Sequence, residues 1–112
     1  MADRSDRIYK MTYESIYPML LAKVERKGRT QAELDEIIRW MTGVAEPSEL
    51  TGTYEELAST LQINPKASEI KGVICGVRVE ELTDPTIKFA RQLDKIVDEL
   101  AKGRAIEKIE RS

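Results

Sequence analysis

The most regular pattern of apolar and polar positions lies near the C-terminal end of the chain, in residues 85–102. Apolar side chains recur there every three or four residues, which places them on one face of an α-helix. These side chains are Phe89, Ala90, Leu93, Ile96, Val97, Leu100 and Ala101. Asp84 can cap the first turn, Pro85 suits the first helical position, and Gly103 can close the last turn. The pattern predicts a helix about 27 Å long that forms the spine of the fold.

A second helix is predicted by the residues around its two ends. Thr30 and Glu33 have the spacing of a capping box, and Gly43 follows the last apolar position. Between them the apolar residues fall at i, i+3, i+4 and i+7, namely Leu34, Ile37, Ile38 and Met41. We therefore expect an amphipathic helix that buries one face.

An earlier helix, ending at Gly28, has two alternative starts. With Ser15 as the cap, Pro18 falls in the first turn, where the missing amide removes no hydrogen bond. With Thr12 as the cap, Pro18 lies deeper in the helix and would bend it. The sequence favours Ser15.

Shorter elements complete the helical prediction. Thr53 and Glu56 repeat the capping-box spacing before about two helical turns, and residues 104–111 predict a final turn or two. Residues 1–7 are polar and are expected to be frayed, whereas residues 8–13 alternate in a way that permits a short extended segment.

The stretch 65–82 can be interpreted in two ways. As a helix begun by Asn64 and Pro65, it would have two faces, one of them rich in small residues, but it would contain Gly72 and Gly76. As a strand it alternates through Val73, Cys75, Val77 and Val79, and it would need a partner such as residues 8–13. The helix is favoured. The predicted fold is all-α, with five or six helices, and the alternative is α+β with a two-stranded element at 8–13 and 73–79.

Composition agrees with one helical domain spanning residues 1–112. The chain is 41% hydrophobic, 34% charged and only 5% aromatic, which suits a helical protein better than a β-sandwich. The sequence contains neither a membrane-spanning run nor a secretory signal at its start, and its single cysteine fits a reducing compartment. We expect a cytoplasmic protein with no membrane contact.

Charge is unevenly distributed along the chain. Residues 1–30 carry a net charge of +3, residues 31–62 carry −6 and residues 63–112 carry +1. Neither basic block is dense enough to indicate a nucleic-acid surface, so binding to nucleic acid is not expected.

Few residues suggest a catalytic, metal-binding or cofactor-binding site. The chain has no histidine, which excludes Ser-His and Cys-His catalytic pairs, and one cysteine cannot complete a zinc shell, so no metal is expected. No glycine-rich phosphate loop is present, and no cofactor is expected. The one candidate is Cys75, because Lys71 and Arg78 would lie one helical turn away on either side and could lower the pKa of the thiol. A buried, inert cysteine is the alternative.

Several segments together resemble a bacterial family catalogued as domain of unknown function 2200. They are ERKGRTQAELDEIIRWMTG (25–43), the Asn64-Pro65 step, GVICGVRVEEL (72–82) and LDKIVDELAKGRAIEKI (93–109). The resemblance implies a small prokaryotic cytoplasmic protein and assigns no functional residue.

The capped amphipathic helices and the lack of a catalytic constellation lead to the functional expectation. We expect a non-catalytic interaction module that associates with itself or with a protein partner. The alternative is a thiol-dependent or anion-binding activity centred on Cys75 and Arg78.

Overall fold

A computed structural model describes residues 4–74 and 76–110, with side chains from Arg7 onward. Within these residues the chain forms six α-helices and one two-stranded antiparallel hairpin. The six helices agree with the all-α prediction of five or six helices. The helices are α1 Arg4–Lys10, α2 Tyr13–Arg26, α3 Gln31–Thr42, α4 Tyr54–Thr60, α5 Pro85–Ala101 and α6 Ile106–Ile109. The strands are β1 Val73–Ile74 and β2 Val77–Arg78, and 3-10 turns occupy Pro47–Glu49, Pro65–Glu69 and Val79–Glu81.

Helix α5 is the predicted spine. The Asp84 carboxylate accepts hydrogen bonds from the amides of Thr86 and Ile87, at 2.9 and 3.1 Å, and so satisfies two free donors of the first turn. The apolar face of α5 is buried against the other five helices and the hairpin. Its most deeply buried side chains are Phe89, Leu93, Ile96, Val97 and Leu100. One cluster of buried apolar residues therefore surrounds α5.

Helix α2 begins earlier than the sequence analysis favoured. Thr12, not Ser15, occupies the N-cap position, and Pro18 lies inside the helix. The reason is a tertiary contact: Thr12 forms an isolated antiparallel bridge with Thr53. In this bridge the amide of Tyr13 donates to the Gly52 carbonyl at 2.8 Å. The bridge fixes the start of α2 against the start of α4.

Both predicted capping boxes are present. Thr30 and Glu33 exchange hydrogen bonds at the start of α3, and Thr53 and Glu56 do the same at the start of α4. Gly43 closes α3 with a left-handed backbone, at φ 74°. The prediction succeeded here because each signal lies within a few residues of the helix end that it sets.

The helix favoured for residues 65–82 is wrong. Asn64 does cap, accepting from the Lys66 amide at 2.8 Å, but only a 3-10 turn follows before the chain turns back on itself as β1 and β2. Gly72 and Gly76 adopt φ values of 114° and 79°, which no α-helix contains. The two strands pair with each other, Val73 opposite Arg78 and Ile74 opposite Val77.

The alternative pairing of 8–13 with 73–79 is also wrong. Residues 8–10 belong to α1, and the only extended contact near them is the bridge of Thr12 among the described residues. Residues 4–7, expected to be frayed, form the first part of α1, and residues 1–3 lie outside the described part of the chain.

Helices α2 and α5 pack against each other and are joined by an ion pair. Lys23 of α2 lies 3.3 Å from the Asp98 carboxylate of α5, and Lys102, just after α5, lies 3.0 Å from the same carboxylate. Burial opposes ionisation of Asp98, but the hydrogen bonds from Lys102 and Lys23 hold its pKa below the ordinary value. No helix in the part of the chain that the structure describes is long and apolar enough to cross a bilayer.

Candidate functional site

The sequence-predicted pair, Cys75 and Arg78, belongs to the hairpin. Cys75 lies outside the described residues, so its reactivity stays a prediction. Arg78 is exposed and its Nη1 lies 3.8 Å from Oε2 of Glu80. The Glu80 carboxylate also accepts from the Gly72 amide at 2.9 Å, which is the main cause that lowers its pKa. The described residues on either side of position 75 form β1 and β2 and not a helix, so the predicted arrangement of Lys71 and Arg78 on neighbouring helical turns is wrong.

A cavity of about 300 Å³ opens between α1, α2, α4 and α5, and we call it the α2/α5 cavity. Its apolar lining consists of Ile8, Met11, Ile16, Met19, Leu20 and Ala90. Its polar lining consists of Lys23, Arg26, Tyr54, Arg91 and Asp94. The volume is at the lower end of the range for small-molecule sites, about 300–1,000 Å³, and the mixture of an apolar wall with a few polar groups is typical of such sites.

One face of α2 forms the long wall of this cavity. Its lining residues recur every three or four positions from Ile16 to Arg26, so they stack along about 15 Å of helix. Met19 is 58% exposed, which is unusual for a large apolar side chain in this fold. The wall therefore changes from apolar at Ile16 to cationic at Lys23 and Arg26.

Charged side chains on α5 face the cavity from the other side. Arg91 donates from Nη1 to Oδ2 of Asp94 at 3.2 Å, and both side chains are mostly buried, with 23% and 27% exposure. Burial raises the pKa of the Asp94 carboxyl group, and Arg91 partly offsets this effect. With Lys23 and Arg26 included, the lining carries three cations and one carboxylate.

Tyr54 adds an unusual group to the lining. Its side chain is 2% exposed, and its hydroxyl has no hydrogen-bond partner among the described residues. Its ring meets Phe89 edge-on, with centroids 5.5 Å apart. Burial, and next the Asp94 charge, raise the pKa of Tyr54, whereas Arg91 lowers it. The hydroxyl is thus a buried neutral donor close to the Arg91–Asp94 pair.

The hydroxyl of Tyr17, unlike that of Tyr54, has two hydrogen-bond partners. It donates to Oδ1 of Asp35 and accepts from Nε2 of Gln31 at 3.1 Å. Burial and the bond to Asp35 raise the pKa of Tyr17 to about 12. Buried hydroxyls usually have such partners, but those of Tyr54 and Tyr13 have none among the described residues, and of these two only Tyr54 lines the cavity.

A second cavity, of about 280 Å³, lies between α4, α5 and the turn at Pro65–Glu69. Apart from Lys88, its polar side chains are engaged within the fold. Asn64 donates to the Trp40 carbonyl, Ser68 donates to the Pro65 carbonyl, and Gln92 donates to the Ala67 carbonyl. This cavity therefore offers a ligand fewer free side-chain groups than the α2/α5 cavity does.

The α2/α5 cavity was not predicted from the sequence. Residues 8–13 were interpreted as an extended segment, although Ile8 and Met11 line the cavity. One signal was present: Met19, Lys23 and Arg26 recur at helical spacing, which places a methionine on the same helix face as two cations.

Comparison with known proteins gives a family. The profile of a family described as "Uncharacterized protein conserved in bacteria (DUF2200)" matches residues 7–111. The chain belongs to this family. A solved structure similar to this DUF2200 protein is the "Crystal structure of uncharacterized protein SP1917", with 35% identity and a TM-score of 0.81, covering 97% of this chain and 92% of that one. No curated protein matches the DUF2200 chain. The resemblance inferred from the sequence is thereby confirmed.

Proposed function

We propose that this protein is a non-catalytic binding module and that the α2/α5 cavity is its binding site. The observation that supports this proposal is that Tyr54, a residue lining an open apolar cavity, carries a buried hydroxyl with no partner among the described residues. A buried polar atom without a partner costs stability, and a ligand that bonds to it removes that cost.

The charges around the cavity favour binding over catalysis. Arg91 is paired with Asp94 and Lys23 is paired with Asp98, so three of the four charged lining residues already have ionic partners. The chain also lacks histidine, the commonest general base near neutral pH. The alternative centred on Cys75 and Arg78 gains no support from Arg78, which is exposed and lies beside Glu80.

Methionine methyl groups provide a test within the protein. Met11 and Met19 line the cavity, whereas Met41 is fully buried elsewhere in the core. In protein labelled with ¹³C at the methionine methyl groups, titration with octan-1-ol should shift the Met11 and Met19 signals and leave Met41 unmoved. Equal movement of all three signals, or movement of none, would contradict the proposal.

A matched pair of variants separates the cavity from general surface effects. Met19→Gln places an amide in the cavity wall and should weaken octan-1-ol binding several-fold, because the transferred apolar area is lost. Val73→Gln makes a similar change at the other large apolar side chain that is exposed among the described residues, on the hairpin, and should leave binding unchanged. If both variants weaken binding alike, the cavity is not the site.

Self-association, a protein partner and a cytoplasmic location stay predictions. Light scattering during size-exclusion chromatography tests the first, and a monomer at every concentration would contradict it. Nucleic-acid binding, which is not expected, would be revealed by a mobility shift of duplex DNA at low salt.

A further inference from the structure

The polar groups of the α2/α5 cavity indicate what kind of ligand it takes. Arg91 uses Nη1 to bond Asp94, and this is the one hydrogen bond that its guanidinium makes to the described residues. A guanidinium has five donors in a planar fork that matches a carboxylate. The Tyr54 hydroxyl adds a further donor, and it lies near Arg91 and Asp94.

The net charge of the lining also favours a ligand with a carboxylate group. Arg91 is paired with Asp94 and Lys23 with Asp98, so the excess positive charge around this otherwise apolar space comes from Arg26. Arg26, which makes no ion pair to the described residues, contributes to this field from the end of α2. An uncharged ligand would use the apolar wall but would leave this excess uncompensated.

We infer that the α2/α5 cavity binds a free medium-chain monocarboxylic acid, whose carboxylate accepts hydrogen bonds from Tyr54 and Arg91. Its acyl chain lies against Ile16, Met19 and Leu20 on the wall formed by α2. A small molecule is favoured over a protein segment because the cavity holds only about 300 Å³ between four helices. The inference rests on the proposed function and specifies the head group of the ligand.

Three probes with one chain length isolate the head group. Octanoate, octan-1-ol and octyltrimethylammonium are titrated, below the concentrations at which they form micelles, while the methyl signals of Met11 and Met19 are followed with Met41 as the internal reference. Octanoate should bind about tenfold more tightly than octan-1-ol, since a hydrogen bond to a charged group is worth more than one to a neutral group. Octyltrimethylammonium should bind most weakly.

Two tyrosine variants test the assigned donor. Tyr54→Phe should weaken octanoate binding about tenfold and change octan-1-ol binding less. Tyr13→Phe is the matched control, because Tyr13 also carries a buried hydroxyl with no partner in the described chain but does not line the cavity. It should leave octanoate binding unchanged. Arg91→Lys keeps the positive charge but loses the planar fork, and it should weaken octanoate selectively.

The outcomes separate the two proposals. If octanoate and octan-1-ol shift Met11 and Met19 with equal affinity, the head-group inference is overturned and the binding site stands. The head-group inference also fails if octyltrimethylammonium binds most tightly, because Asp94 would then set the preference. If no probe moves Met11 and Met19, both the inference and the proposed function are overturned.

Discussion

Replacing Tyr54 with phenylalanine should make the free protein more stable. The change removes one oxygen from a side chain that is 2% exposed and leaves the ring, including its edge-on contact with Phe89, in place. A buried hydroxyl without a partner costs about 1–3 kcal/mol, and we expect Tyr54→Phe to recover about 1 kcal/mol of this. For 112 residues the unfolding entropy is about 0.24 kcal/mol/K, so the midpoint of thermal unfolding should rise by about 4 °C.

The same substitution at Tyr17 should have the opposite effect. Its hydroxyl donates to the Asp35 carboxylate and accepts from Gln31, so Tyr17→Phe breaks two hydrogen bonds, one of them to a charged group. We expect a loss of about 2 kcal/mol in the free energy of unfolding. Urea unfolding of both variants, with unchanged m-values, measures the two effects on one scale.

The sign of the Tyr54→Phe effect shows whether the Tyr54 hydroxyl is bare in solution. A loss of 1 kcal/mol or more would mean that this hydroxyl has a partner there, and the reasoning from a bare buried hydroxyl would fail. A gain in stability combined with weaker octanoate binding would mean that this tyrosine is maintained for binding at the expense of stability.

Three further predictions concern the fold. Leu93→Ala should destabilise the protein by about 2–5 kcal/mol in urea unfolding, because Leu93 is fully buried on the spine; a loss below 1 kcal/mol would contradict that packing. Gly72→Ala should cost more stability than Gly76→Ala. Both glycines have positive φ, but only at Gly72 would the new methyl group, 2.9 Å from Lys95 Cε, displace a mostly buried side chain that is ion-paired with Glu99 at 3.5 Å; equal losses would refute this. The Thr30 amide, with Arg29, lowers the pKa of Glu33 below its ordinary 4.5. The ionised form of Glu33 therefore stabilises the fold above pH 4.5, and this stabilisation is lost as the pH falls through the pKa of Glu33 in the folded state. The thermal midpoints of wild type and Glu33→Ala should converge in acid, and a constant gap from pH 7 to pH 2.5 would contradict the assignment.

The elements that the sequence predicted are those whose signals are local. Asp84 and Pro85 at the start of α5, and the capping boxes at Thr30 and Thr53, involve residues within three positions of each other. Their hydrogen bonds form in any context that allows a helix, so a pattern suffices to find them.

The errors occurred where distant residues decide the structure. Ser15 and Thr12 were both reasonable caps, and only the bridge to Thr53 selects Thr12. The hairpin required positive φ at Gly72 and Gly76, which the helical interpretation treated merely as a cost. The α2/α5 cavity joins residues from four helices, so no local pattern contained it.

The position of the spine has a consequence for synthesis of the chain on the ribosome. Helices α2, α3 and α4 all bury apolar side chains against α5, which is translated only after residue 84. Until then the helix that covers those side chains in the folded protein is missing, so most of the core forms only after α5 has emerged. A transcript that stops before this point would therefore yield a product prone to aggregation and open to proteases.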